Sequence, residues 1–136
     1  MPVRVERLPN EPILIATLSG LVTEDDFIEL YHLSSALIGT EGGVFHRISD
    51  LRHATSTFSD VLRAIQKAAQ ELPASLMDPQ IQVTFVGENT WIIFARDFFL
   101  QRGINLPVFP DLESALESVR IRIVSEYPNA GVLPEQ

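Results

Sequence analysis

The residues able to do chemistry crowd into one stretch, from His46 to Ser59. It holds His46, Asp50 and His53, followed by the hydroxyls Thr55, Ser56, Thr57 and Ser59. Imidazole and carboxylate groups suit metal binding or proton transfer, and a hydroxyl beside a base suits acyl transfer. His46 and Asp50 fall on one face of a predicted strand, but roughly 13 Å apart at standard rise, too far to share an ion without a bend. A structural zinc site wants four ligands and no clear fourth is offered, so no metal is assigned. The hydroxyls lack a Gly-x-Ser-x-Gly elbow and a positioned base. His32, between Tyr31 and Leu33, reads as a helix-edge residue, and the Asp25-Asp26 pair reads as helix capping. Gly39, Gly42 and Gly43 fit neither the dinucleotide fingerprint nor the P-loop. The expectation is a non-enzymatic chain without a cofactor.

Composition narrows the partners. Acidic residues outnumber basic ones by 18 to 10, a net charge of −8 that repels phosphate backbones and argues against nucleic acid. There is no cysteine for disulfides or thiolate metal sites, which suits a reducing compartment. The N-terminal ten residues carry charges where a signal peptide needs an apolar region, and no apolar run approaches membrane-spanning length. These features predict a cytoplasmic protein without membrane insertion. The length, 136 residues, fits one domain with a real core.

The elements that must position the hydroxyl stretch follow from periodicity. Val3–Leu8 alternates apolar and charged residues as a half-exposed strand, and Ile13–Leu18 is continuously apolar, as a strand covered on both faces is. Pro9 to Pro12 turn the two into a hairpin. Thr23 with Asp26 three residues on predicts a capped helix whose stripe is Phe27, Leu30, Tyr31, Ser34, Leu37 and Ile38, closed by Gly39. Val44–Leu51 reads as the third strand, with His46, Ile48 and Asp50 on one face and Phe45, Arg47, Ser49 and Leu51 on the other. A hydroxyl-rich loop then leads to a helix capped by Thr57 or Ser59, with Val61, Leu62, Ile65, Ala68, Ala69 and Leu72 inward. Ile81–Val86 is a fourth strand, and Asn89 caps a helix from Thr90 to about Arg102. Leu106–Phe109 is a short edge strand, and Asp111 caps a last helix with Leu112, Ala115, Leu116, Val119 and Ile123 on its stripe. The tail, 127–136, reads as irregular. The alternation predicts an α/β fold in a single domain spanning 1–136, with a mixed sheet of about five strands covered mainly on one side by about four helices.

This order resembles the sulphate-transporter and anti-sigma-factor-antagonist (STAS) family, in particular its SpoIIAA-like branch. The resemblance rests on Gly20-Leu21-Val22-Thr23 before the first helix and on the strand ending Asp50-Leu51. The Gly103-Ile104 turn and the segment Phe109 to Leu116 complete it, and it spans roughly residues 3 to 124. It implies a bacterial, stand-alone domain that acts as a regulatory or protein-interaction module. The branch is also compared in fold with lipid-transfer domains, an analogy that does not carry function. In signalling members a partner kinase phosphorylates the first serine of an Asp-Ser-Ser-Gly segment, and the spacing from Asp50-Leu51 places Ser59 there. The chain departs from that pattern. Phe58 replaces the aspartate, Asp60 the second serine and Val61 the glycine. A plain cap by Ser59 or Thr57 therefore stands ahead of a phosphoswitch.

Two surfaces remain as candidate contacts. Strand ends and helix N-termini should meet in a rim made of Asp50, Phe58, Glu88, Asn89 and Trp91, with Ser59. The third predicted helix is too apolar for a surface helix, so it is expected either to lie under a loop or the C-terminal tail or to present Ile92, Ile93, Phe99 and Leu100 as a patch for a homodimer, a partner or an apolar ligand. A binding domain for a small apolar or lipid-like ligand at this rim and helix is the alternative to the interaction module.

Overall fold

The computed structural model describes residues 2–68, 73–74 and 78–126. The side chains of Phe58, Ile65, Ala68 and Glu126 lie outside that description, as do residues Ala69 and Leu72 of the expected second-helix face and the whole tail 127–136.

The described elements run β1 (Val3–Arg7), β2 (Ile13–Leu21), α1 (Glu24–Ile38), β3 (Phe45–Thr55) and α2 (Phe58–Ala68). They continue with β4 (Ile81–Val86), α3 (Thr90–Leu100), β5 (Val108–Phe109) and α4 (Leu112–Glu126). The strands form one sheet in sequence order, β1 antiparallel to β2 and every later neighbour parallel. Parallel neighbours need long crossovers, and α1, α2 and α3 supply them.

The two faces of the sheet bury different clusters. On one, Leu14, Ala16 and Leu18 of β2, Phe45 and Leu51 of β3, and Val83 and Phe85 of β4 pack against α1, α2 and α3 through Leu30, Tyr31, Val61, Ile92 and Phe99. On the other, Ile13, Ile15, Ile48 and Val86 meet Ala115 and Val119 of α4. Strand β2 is apolar on both sides because both sides are covered. The layers are thus three helices over one face and one over the other.

Helix ends follow their side chains. The Thr23 amide and hydroxyl both donate to the Asp26 carboxylate, at 2.8 and 3.1 Å, closing the expected capping box. Gly39 ends α1 with a φ of 62°. Asp111 accepts the Ser114 amide at 2.7 Å to start α4. Leu37, expected inward, is exposed.

Several strand boundaries differ from the sequence expectation. β3 does not stop at Leu51 but runs on to Thr55, because β2 also continues, and Ser19, Gly20 and Leu21 pair with His53, Ala54 and Thr55 after a register shift. β5 is shorter than expected, with Val108 and Phe109 alone in the ladder.

Candidate functional site

The loop between β3 and α2 shrinks to Ser56 and Thr57 once β3 reaches Thr55. Both residues are occupied structurally. The Ser56 hydroxyl donates to the Val22 carbonyl at 2.8 Å, and the Val22 amide donates to the Thr55 carbonyl at 2.7 Å, which clamps the exit of β2 to that of β3. Thr57 is the cap of α2: its hydroxyl accepts the Asp60 amide at 3.1 Å and donates to the Asp60 carboxylate at 2.9 Å. The same carboxylate accepts the Glu24 amide at 3.2 Å, fastening the first turn of α2 to that of α1. Ser59 is therefore not the cap. It sits inside the first turn, exposed.

The expected rim is divided by the sheet. Asp50 shares the α4 face with Ile48, and Arg52 grips it with two donors at 2.9 and 2.8 Å. The guanidinium hydrogen bonds hold the Asp50 carboxyl below its ordinary range, against the opposing effect of burial. Asn89 and Trp91 lie on the other face. Asn89 occupies the N-cap position of α3, but its side chain does not cap: the amide nitrogen donates to the Ala54 carbonyl at 2.9 Å and the Leu51 carbonyl at 3.4 Å. Trp91 packs edge-on against Phe27, ring centroids 6.4 Å apart. Glu88 is exposed, and the Phe58 side chain lies outside the described residues. Asp50 and Asn89 thus serve β3 from opposite sides rather than facing a common ligand.

The apolar patch on α3 is also corrected. Ile92 and Phe99 are core residues, 0 % and 2 % exposed, so the inward face is Ile92, Ala95 and Phe99. Leu100 is exposed and Ile93 half-buried, while Trp91, Phe94 and Phe98 flank the buried face. Gly87 leaves room for the inward Ile92. A Cβ there would lie 2.7 Å from Ile92 Cδ1, so the absence of one admits Ile92 to the core.

Polar side chains also enter the core where none was assigned a role. Arg47 is 1 % exposed and donates from Nη1 to the Ser34 hydroxyl at 2.9 Å and the Ala74 carbonyl at 2.6 Å. Ser34 in turn donates to the Leu30 carbonyl at 2.7 Å, and the guanidinium stands 5.7 Å from the Tyr31 ring centre. Burial pulls Arg47 down to about 10, with Tyr31 and Asp78 opposing, which leaves it charged at neutral pH. The sequence signal was present: Arg47 shares a face with Phe45 and Leu51, and Ser34 interrupts the stripe of α1. Among the described residues no group of three or more His, Cys, Asp or Glu is placed to hold a metal ion, and no helix is long and apolar enough to cross a membrane.

A crystal structure of an uncharacterised DUF3478-family protein from Shewanella loihica PV-4, described as having a SpoIIAA-like fold, superposes with a TM-score of 0.58. The match covers 85 % of this chain and 90 % of that one at 13 % identity. The chain has a SpoIIAA-like fold. No protein-family model and no curated protein matches it, so the likeness lives in the backbone rather than in the side chains.

Proposed function

We propose that the chain is a non-enzymatic regulatory or protein-interaction module of STAS type, contacting a partner where β2 and β3 end and α2 begins. One observation carries this reading: Leu21, paired with Thr55, is 61 % exposed, and Thr57 and Ser59 at the start of α2 just beyond Thr55 are exposed as well, which makes this junction a platform. The platform is rigid, because Ser56, Val22, Asp60 and Glu24 lock its components together. An exposed apolar residue paired with an exposed threonine suits protein contact better than catalysis. The polar groups nearest it support the same reading, since Asp50, Asn89 and Asp60 are each committed to holding backbone or a neighbouring side chain. A phosphoryl group on Ser59 would meet the Asp60 carboxylate, so the contact itself, rather than phosphorylation, is the operative event.

The test is affinity capture from the native cell extract by wild type, Leu21→Glu and Ser59→Arg, the variants first matched to wild type in thermal unfolding. A partner held by wild type and lost by both variants supports the reading. Equal recovery by all three overturns it. If the partner is a second copy of the chain, light scattering reports a mass that rises with concentration and falls with Leu21→Glu.

A further inference from the structure

Three buried polar atoms, Arg47 Nε, Ser49 Oγ and Trp91 Nε1, have no hydrogen-bond partner among the described residues, and the residues that carry them line one cavity. They come from the middle of β3 and the start of α3, elements joined only through the tertiary fold. The cavity has a volume of about 40 Å³ and is otherwise walled by apolar groups, Phe27, Tyr31 and Phe85 among them. A water needs about 10 to 15 Å³ on this measure, so the space takes about three waters or one short organic acid. A second lobe of about 30 Å³ shares the three aromatic walls and extends towards Val61 and Ala64. Both lobes have largely apolar walls, and Arg47 and Ser49 line the first alone.

The donor set selects the ligand. A guanidinium N–H, a hydroxyl and an indole N–H can all give a hydrogen bond, and the indole and guanidinium can do nothing else. Their common partner is an acceptor, and beside a buried cation it is an anion. The Arg47 Nη1 hydrogen bonds go to neutral groups, Ser34 and Ala74, while the Asp78 carboxylate accepts the Ala74 and Gln80 amides. Phosphate is a poor fit, since a single guanidinium and apolar walls cannot compensate a dianion. A monocarboxylate fits the volume, the charge and the apolar second lobe together.

We propose that this cavity is a binding site for a short aliphatic monocarboxylate, its oxygens accepting from Arg47 Nε, Ser49 Oγ and Trp91 Nε1 and its alkyl chain directed towards Val61 and Ala64. The site is independent of the interaction surface around Leu21, and either can fail without the other.

Trp91 is the one tryptophan in the sequence, so its indole N–H gives a single reporter resonance. Butyrate is titrated into the full chain at neutral pH, with butanol and chloride as controls. The expected result is a saturable shift of the indole signal with butyrate alone. Ser49→Ala should weaken binding about tenfold or more, the equivalent of one lost hydrogen bond to a charged group. Arg47→Met should abolish the response if it folds, and Ser49→Ala keeps the test sound if it does not. An indole signal unmoved by butyrate, an equal response to butanol, or an equal affinity in Ser49→Ala overturns the proposal. So does a crystal structure grown in butyrate that shows ordered water alone between the three donors.

Discussion

Substituting Gly87 by alanine tests the packing that orients α3. Gly87 lies just beyond β4 with φ at +142°, a conformation that L side chains rarely adopt, and its missing Cβ would lie 2.7 Å from Ile92 Cδ1. Two costs follow. The backbone conformation contributes about 1 to 3 kcal/mol against any side chain, and the overlap with Ile92 adds about 1 to 3 kcal/mol as an overpacked core contact. Gly87→Ala should therefore destabilise by about 2 to 6 kcal/mol, summing those two ranges. The second cost is removable because the clashing atom is a single methyl. Ile92→Val deletes Cδ1, costing about 0.5 to 1.5 kcal/mol alone, and in that background only the backbone cost of Gly87→Ala remains. The double mutant should be more stable than additivity predicts by about 1 to 3 kcal/mol. Urea unfolding of the four proteins, followed by circular dichroism, measures this coupling. Additive effects within about 0.5 kcal/mol would show that Ile92 does not set the position of α3 against Gly87.

The cap of α2 separates two neighbours: Thr57→Ala should cost about 1 kcal/mol, whereas Ser59→Ala should stay within about 0.5 kcal/mol, both read by thermal or urea unfolding. Asn89→Ala frees the Ala54 and Leu51 carbonyls and should cost about 1 to 3 kcal/mol, with Asn89→Asp worse because a carboxylate repels the carbonyls it would face. Asp50 has a folded value below its unfolded reference of 3.8, so its pairing with Arg52 stabilises the fold fully above that value and is lost as pH falls through the folded one. Asp50→Asn should accordingly flatten the acid side of the stability profile, and a profile as steep as that of wild type would refute the pairing.

What could be read directly from the sequence was whatever local chemistry determines. Thr23 with Asp26 and Asp111 with Ser114 are contacts within one turn, and the double burial of β2 shows in its continuous apolar run. The far end of β3 was hidden because Arg52, His53 and Thr55 are exposed, and exposed strand carries no hydrophobic period; its pairing with β2 past a register shift fixes it instead. The rotation of α3 was hidden for the opposite reason. Trp91, Ile92, Ile93 and Phe94 are all apolar, so periodicity does not choose among faces, and the close fit of Ile92 against Gly87 is a tertiary contact that no local pattern shows. The candidate rim failed as a unit because alternation along β3 sends Asp50 to the α4 side while Asn89 and Trp91 start a helix on the other. Arg47 was placed on the correct strand face, but its partners Ser34 and Ala74 lie 13 and 27 residues away, beyond any local pattern.

The outer margins of the sheet restrict how copies of this chain can associate. On one flank β1 sets Arg4 and Glu6 into solvent, and on the other β5 is two residues long and hemmed by Pro107 and Pro110. Charge on one border and proline beside a minimal strand on the other discourage main-chain pairing with a further strand. Lateral growth into continuous intermolecular sheets is blocked at both borders. Even when crowded, the folded chain is left to recognise its neighbours by side-chain shape, a choosier mode of contact than an open backbone ladder would permit.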